Sequence, residues 1–210
     1  MGYMCNNWIA ANLLFVLTLT GRAQQKVPNA VSEPSTPAAQ GFHDDRYGIS
    51  FGTPAGWQLN RRDGEVSTFE LDALKASPGT QMRAAVSIGF NPFPRSTFAG
   101  AYFYYSITPK VKPDACANQA SAVAPRTVSF EPIGGKKFTH GYNEHGVICT
   151  ESRDEIYTMP THNVCYRFDL VINTFCGGEV SGAQDISQQQ IEAVRGRLEN
   201  ILSTVRFDNK

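Results

Sequence analysis

The sequence predicts an α+β domain: an antiparallel β-sheet covered by helices, an α/β sandwich, within a chain of 210 residues. Short apolar or alternating runs recur along it, separated by turns containing Gly or Pro. These runs follow one another with few helices between them, so successive strands pair antiparallel. A single strongly amphipathic helix near the C-terminus supplies the cover. The composition, 41% hydrophobic and 18% charged, is that of a folded chain. Its length suits one domain with appendages.

Residues 1–23 read as a secretory signal. The apolar run Trp8 to Leu19 is shorter than the roughly 20 residues of a membrane-spanning helix. It fits the hydrophobic region of a signal, with Gly21 and Ala23 at the small-residue positions before a cut at Gln24. An uncleaved N-terminal anchor is the alternative, and it is the only route by which the sequence reaches a membrane. Residues 24–41, with Pro28, Pro34 and Pro37, read as a disordered linker. Residues 42–210 read as the single domain.

Within it, Tyr47 to Phe51 is a strand ended by the turn Thr53-Pro54-Ala55-Gly56. Val66 to Ala73 and Met82 to Phe90 are strands around Ser77-Pro78-Gly79. Ala101 to Thr108 is an aromatic-rich strand buried on both faces or against a helix. Alternation puts Tyr102 and Tyr104 on one face, Phe103 and Tyr105 on the other. A short helix is expected over Ala115 to Ala122. Thr127 to Ile133 and Lys136 to Tyr142 are strands around Gly134-Gly135. That Gly-Gly-Lys-Lys stretch lacks the remaining spacing of a phosphate loop and reads as a tight turn.

Val147 to Met159 and Asn163 to Phe175 form a hairpin about Pro160-Thr161-His162, after a turn at Glu144-His145-Gly146. With Met159 facing Asn163, Glu155 opposes Arg167 and Arg153 opposes Asp169. Each such pair is worth roughly 0.2–1 kcal/mol. Sliding by two residues opposes Arg153 to Arg167 and Glu151 to Asp169, two repulsions. Charge therefore selects the first register. Tyr166, Phe168, Leu170 and Ile172 form the apolar row beneath the cover. That cover is Asp185 to Ser203, with Ile191, Val194, Leu198, Ile201 and Leu202 at helical spacing. Ser187 and Gln190 supply a capping box. Thr204 to Phe207 is the last strand.

The run Tyr47-Gly48-Ile49-Ser50-Phe51-Gly52-Thr53-Pro54-Ala55-Gly56-Trp57 resembles the opening strand and turn of PsbP-like domains. The end, Ile201-Leu202-Ser203-Thr204-Val205-Arg206-Phe207, is similar to their closing helix and strand. The resemblance implies an antiparallel sheet between helices, and binding or assembly roles more than catalysis. It supplies no site residues.

Beyond residue 23 there are four cysteines, Cys116, Cys149, Cys165 and Cys176. An even number in an exported chain points to disulfides. Cys165 and Cys176 share one strand and lie about 36 Å apart when extended. Cys149 faces Asn173 in the chosen register, about 26 Å along the strand from Cys165. The surviving pairing is Cys149–Cys176 with Cys116–Cys165, free buried thiols being the alternative.

Other chemistry is thin. His162-x-x-Cys165 is half of a zinc pattern whose other half is missing, so no metal is expected. His43-Asp44-Asp45 sits at the domain edge. Glu151, Asp154 and Glu155 with Arg153 evoke a glycosidase pair, but a cross-strand charge ladder explains them more simply. No nucleophile elbow or cysteine signature is present. No cofactor is expected, and zero net charge removes the footprint of a nucleic-acid binder. Tyr102 and Tyr104 are the candidate lining of a groove for a peptide, glycan or apolar ligand. The reading is an exported domain, periplasmic or extracellular, that binds a protein, peptide or glycan without catalysis. The rival is an exported hydrolase with a site between His140 and Cys176. The two differ in what they require: a His beside Ser, Cys or carboxylate in a pocket for the enzyme, an uncovered aromatic patch for the binder.

Overall fold

The computed structural model describes residues 38–65, 77–121, 129–178 and 181–208. The signal, most of the linker and the Val66 to Ala73 strand lie outside the described residues. The chain runs β1 (Gln40–Asp44), β2 (Ile49–Thr53), β3 (Trp57–Glu65), β4 (Gln81–Ile88), β5 (Phe98–Pro109) and α1 (Pro113–Ser121). It continues through β6 (Ser129–Ile133), β7 (Lys136–Val147), β8 (Thr150–Thr161), β9 (Val164–Phe175), α2 (Gln188–Ser203) and β10 (Arg206–Phe207). Among the described residues an antiparallel sheet has the order β3-β4-β5-β9-β8-β7-β6, and β1-β2-β10 form a separate three-stranded sheet. The α+β class is the one the sequence predicts. The second sheet is an addition: β1 opens at Gln40, inside the stretch read as linker.

One face of the large sheet carries the main core. Phe103, Tyr105, Phe168, Leu170 and Ile172 meet Ile191, Val194, Leu198 and Ile201 of α2, together with Phe42, Ile49 and Phe51 of the small sheet. Phe51 stands edge-on to Phe103 at 5.1 Å and Phe42 to Tyr105 at 6.0 Å. The capping box at Ser187 and Gln190 is formed and fixes where α2 begins. Leu198 is wholly buried at the middle of this face. Leu198→Ala should therefore cost about 2–5 kcal/mol by urea denaturation. A cost below about 1 kcal/mol would place the helix outside the core.

The opposite face is covered in part by α1, which packs on β7 and β8. The approach is close: a Cβ on Gly141 would overlap the carbonyl of Ala120, so only glycine admits the helix there. Tyr102 and Tyr104 also lie on this face, as alternation requires. Their rings stack at 5.7 Å beside Met82, Ala85 and Val171, with Tyr104 buried and Tyr102 half-buried.

The β8–β9 register differs from the expected one. Thr161 faces Val164 and Met159 faces Tyr166, leaving His162-Asn163 as a two-residue turn. Both turn residues have positive φ, 43° and 64°. That is the left-handed geometry whose twist suits a tight hairpin, and His and Asn enter it more readily than most residues. The odd shift turns β8 over relative to β9. Tyr157 and Met159 now share the core face with Phe168 and Tyr166, where the expected register would have set Asp154 opposite Phe168. Burying two large side chains is worth roughly 1.5–3 kcal/mol each, more than two cross-strand ion pairs at roughly 0.2–1 kcal/mol each. The pairs Glu155–Arg167 and Arg153–Asp169 are accordingly not formed. The turn before β8 also moves. β7 continues through Glu144-His145-Gly146 to Val147, and Cys149, with φ 64°, occupies the turn instead.

Both expected disulfides are present, Cys116–Cys165 and Cys149–Cys176. The observed register makes the second more direct. Cys149 directly precedes Thr150 and Cys176 directly follows Phe175, the facing pair at this end of the ladder, and their Cα atoms stand 4.7 Å apart. Cys165 faces Pro160, far along the strand from Cys149, so the exclusion of Cys149–Cys165 holds.

A buried ion pair joins the two sheets. Asp44 of β1 receives hydrogen bonds from Arg83 of β4 at 2.8 and 3.1 Å. Burial is the largest single influence and raises the Asp44 pKa, but the hydrogen bonds and charge of Arg83, with the Arg46 and Tyr47 amides, outweigh it and hold the carboxyl below its usual value. A carboxyl depressed in the folded state stabilises above its unfolded pKa of about 3.9, and that contribution is lost as pH falls through the lower folded value. Asp44→Asn should lower stability at neutral pH and flatten its decline below about pH 4. Parallel acid limbs for both proteins would contradict this.

Candidate functional site: a polar groove along α2

In the β7–β8 ladder His140 faces Tyr157, Tyr142 faces Glu155 and Glu144 faces Arg153. Ser129 of β6 faces His140 on its other side. Alternation turns all of these toward the α2 side of the sheet. There α2 offers a polar stripe, Gln188, Arg195 and Glu199, beside its apolar face. The apolar rows of sheet and helix meet in the core, and the polar rows diverge into a groove. It contains two adjoining cavities of about 510 and 530 Å³ that share His140.

His140 is the hub. Its Nε2 lies 2.6 Å from Glu155 Oε2, and its Nδ1 lies 3.0 Å from Ser129 Oγ. Ser129 also donates to Glu131 at 3.3 Å. The imidazole stacks on Tyr157 at 4.4 Å, nearly parallel. The other carboxylate oxygen of Glu155 is 3.4 Å from Arg195 Nε, and Arg195 also bonds Glu192. At the far end Arg153 bridges Glu144 at 3.2 Å and Glu151 at 2.6 Å. Tyr142 donates to Glu144, and its phenol is pushed up to about 12, first by burial and then by the Glu144 charge. The carboxylates and cations between Ser129 and Arg195 thus hold one another in a mixed-charge network.

The residues singled out in the sequence meet this groove only in part. His140, Glu155 and Arg153 are in it. Cys116, Cys149, Cys165 and Cys176 are in disulfides. His162 is in the β8–β9 turn, and His43 pairs with Asp45. Among the described residues no group of three or more His, Cys, Asp or Glu is placed to hold a metal ion. Tyr102 and Tyr104 lie on the opposite sheet face. Ser129, Glu131, Arg195 and Glu199 escaped the sequence reading. Their signal was polar residues at every second position of β6 (Ser129, Glu131) and of β7 (His140, Tyr142, Glu144), matched by a polar stripe on α2.

No protein-family model and no curated protein matches the sequence. Among solved structures the fold is similar to the solution structure of cyanobacterial PsbP from Synechocystis, at 11% identity and TM-score 0.41, over 85% of this chain and 98% of that one. It is also similar to LpqN, involved in cell envelope biogenesis of Mycobacterium tuberculosis, at 10% identity and TM-score 0.43, over 81% and 91% of the two chains. A crystal structure from Bacteroides thetaiotaomicron aligns at 11% identity and TM-score 0.42 over 82% of this chain, which spans about half (50%) of that longer one.

Proposed function

We propose that this chain is an exported, non-catalytic binding domain, serving an envelope or secreted assembly, and that it takes its partner in the groove along α2. The observation that carries this is the pair of adjoining cavities meeting at His140, in which charged groups are already fixed by neighbours and present a preformed polar surface. Preformed polar groups on rigid strands and a capped helix favour recognition because little order remains to be imposed on binding. Export is supported by the two disulfides that join all four cysteines of the described residues, as expected of an oxidising compartment.

One arrangement favours the hydrolase as a second reading: Ser129, His140 and Glu155 form a hydrogen-bonded chain. It meets the requirement set for an enzyme, a His beside Ser and carboxylate in a pocket. Other features weigh against a nucleophile. Ser129 opens strand β6, opposite His140, and is followed by strand and not by the helix of a nucleophile elbow. Its hydroxyl is shared with Glu131, and Glu155 is shared with Arg195.

Hydrolysis of p-nitrophenyl acetate by the exported protein decides between the two. Ser129→Ala should leave the rate unchanged. A fall of roughly a thousandfold, the scale of a lost nucleophile, would replace the binding reading with the hydrolase.

A further inference from the structure

The cavity at the Glu199 end of the groove is lined by charge of one sign. Glu131 reaches it from β6 and Glu199 from α2, beside His140, Tyr157 and Ser203, with Ile133 and Leu202 among its walls. Among the described residues no Lys or Arg lines it. Carboxylates at a surface are commonly only solvated, so their presence alone says little.

Tyr157 adds an independent observation. It is only 6% exposed, yet it lines this cavity. Its ring is occupied by the His140 stack, while its hydroxyl has no hydrogen-bond partner among the described residues. A tyrosine held this deeply in a cavity wall, with no protein partner for its hydroxyl among the described residues, offers that oxygen to whatever the cavity holds. Burial raises the phenol pKa most, followed by Glu155, Glu199 and Glu131, with Arg195 opposing them. The hydroxyl therefore stays neutral and sits in the field of those carboxylates.

Carboxylate oxygens and a phenol lone pair are all acceptors. What satisfies them is a cation rich in N–H donors, and Ile133 and Leu202 suit an aliphatic stem behind it. We propose that this cavity binds an aliphatic ammonium or guanidinium group, with Glu131 and Glu199 balancing its charge and the Tyr157 hydroxyl accepting one of its hydrogen bonds. The proposal rests on the reading of the groove as a binding site and adds the charge and chemistry of what enters it.

NMR titration of the exported full chain tests it with three probes: cadaverine, the blocked peptide acetyl-Ala-Arg-Ala-amide, and glutarate as an anion of similar size. At least one cation should give saturable shifts at the amides of Tyr157, Glu199 and Ser203, and glutarate none. The tighter cation tells whether a free amine or a basic side chain of a partner is preferred. Glu199→Gln, on the exposed side of α2, should weaken binding roughly tenfold, as for one lost charge-assisted hydrogen bond, and Tyr157→Phe should weaken it severalfold. Absence of saturable shifts from both cations at millimolar concentration, or affinity unchanged in both variants, would overturn the proposal. The ester assay reports whether the groove binds or catalyses, and these titrations report the ligand's charge, so the two readings fail separately.

Discussion

Arg167→Met should destabilise the domain by about 3–5 kcal/mol, the cost of stripping one partner from a fully buried ion pair. Arg167 and Asp169 are two residues apart on β9, and both side chains are wholly buried. The guanidinium grips both carboxylate oxygens of Asp169, with bonds between 2.6 and 3.0 Å. It also donates to Gln119 of α1 at 3.2 Å. Met matches the length of the Arg stem, so the loss reports charge more than volume. With the cation gone, the Asp169 carboxylate loses its counter-charge in a place wholly screened from water. The double variant Arg167→Met/Asp169→Leu should recover most of the loss, because a buried pair replaced by apolar groups is often neutral or better. Urea denaturation of the single and double variants measures both. A single-variant loss below about 1 kcal/mol would mean that water reaches the pair.

Removing the Cys116–Cys165 bond by paired alanine substitution should cost about 4 kcal/mol, and removing Cys149–Cys176 about 3.5 kcal/mol, by loop-closure entropy in the unfolded chain. The order follows the sequence separations, 49 and 27 residues. Burial widens the gap. Cys116 and Cys165 are wholly buried, so their sulfurs also leave a void, whereas Cys149 is exposed in its turn. The first bond pins α1 beside the Arg167–Asp169–Gln119 cluster, so its loss should also speed exchange of α1 amides. Equal losses for the two bonds, or no change at α1, would show that the inner bond does not anchor the helix.

The elements most legible in the sequence are those whose signal is local. The α2 cap at Ser187 and Gln190 and its five buried apolar residues were readable because capping and helical spacing need no knowledge of partners. The Gly134-Gly135 turn was readable because both residues take positive φ. The β8–β9 register was not. Its sequence cue was charge on exposed-looking side chains, while the deciding term was which face of β8 meets the core. The disulfide pairing survived that error because the excluded pair stays far apart in either register. The groove was obscure for a related reason. Ser129, His140, Glu155 and Arg195 come from four elements, and each looks like ordinary strand or helix surface until the ladders set them side by side. The resemblance to PsbP-like domains implied an antiparallel sheet with helices, which the structure has, and said nothing of these residues.

The central claim is an exported, doubly stapled binding domain. Non-reducing peptide mapping with intact mass, on protein expressed with its own N-terminus and recovered from the oxidising compartment, tests it most directly. The account predicts a chain beginning at Gln24 with two crosslinked peptide pairs, Cys116 to Cys165 and Cys149 to Cys176, and no free thiol. A full-length chain retained in the membrane fraction, or four reduced cysteines, would contradict it.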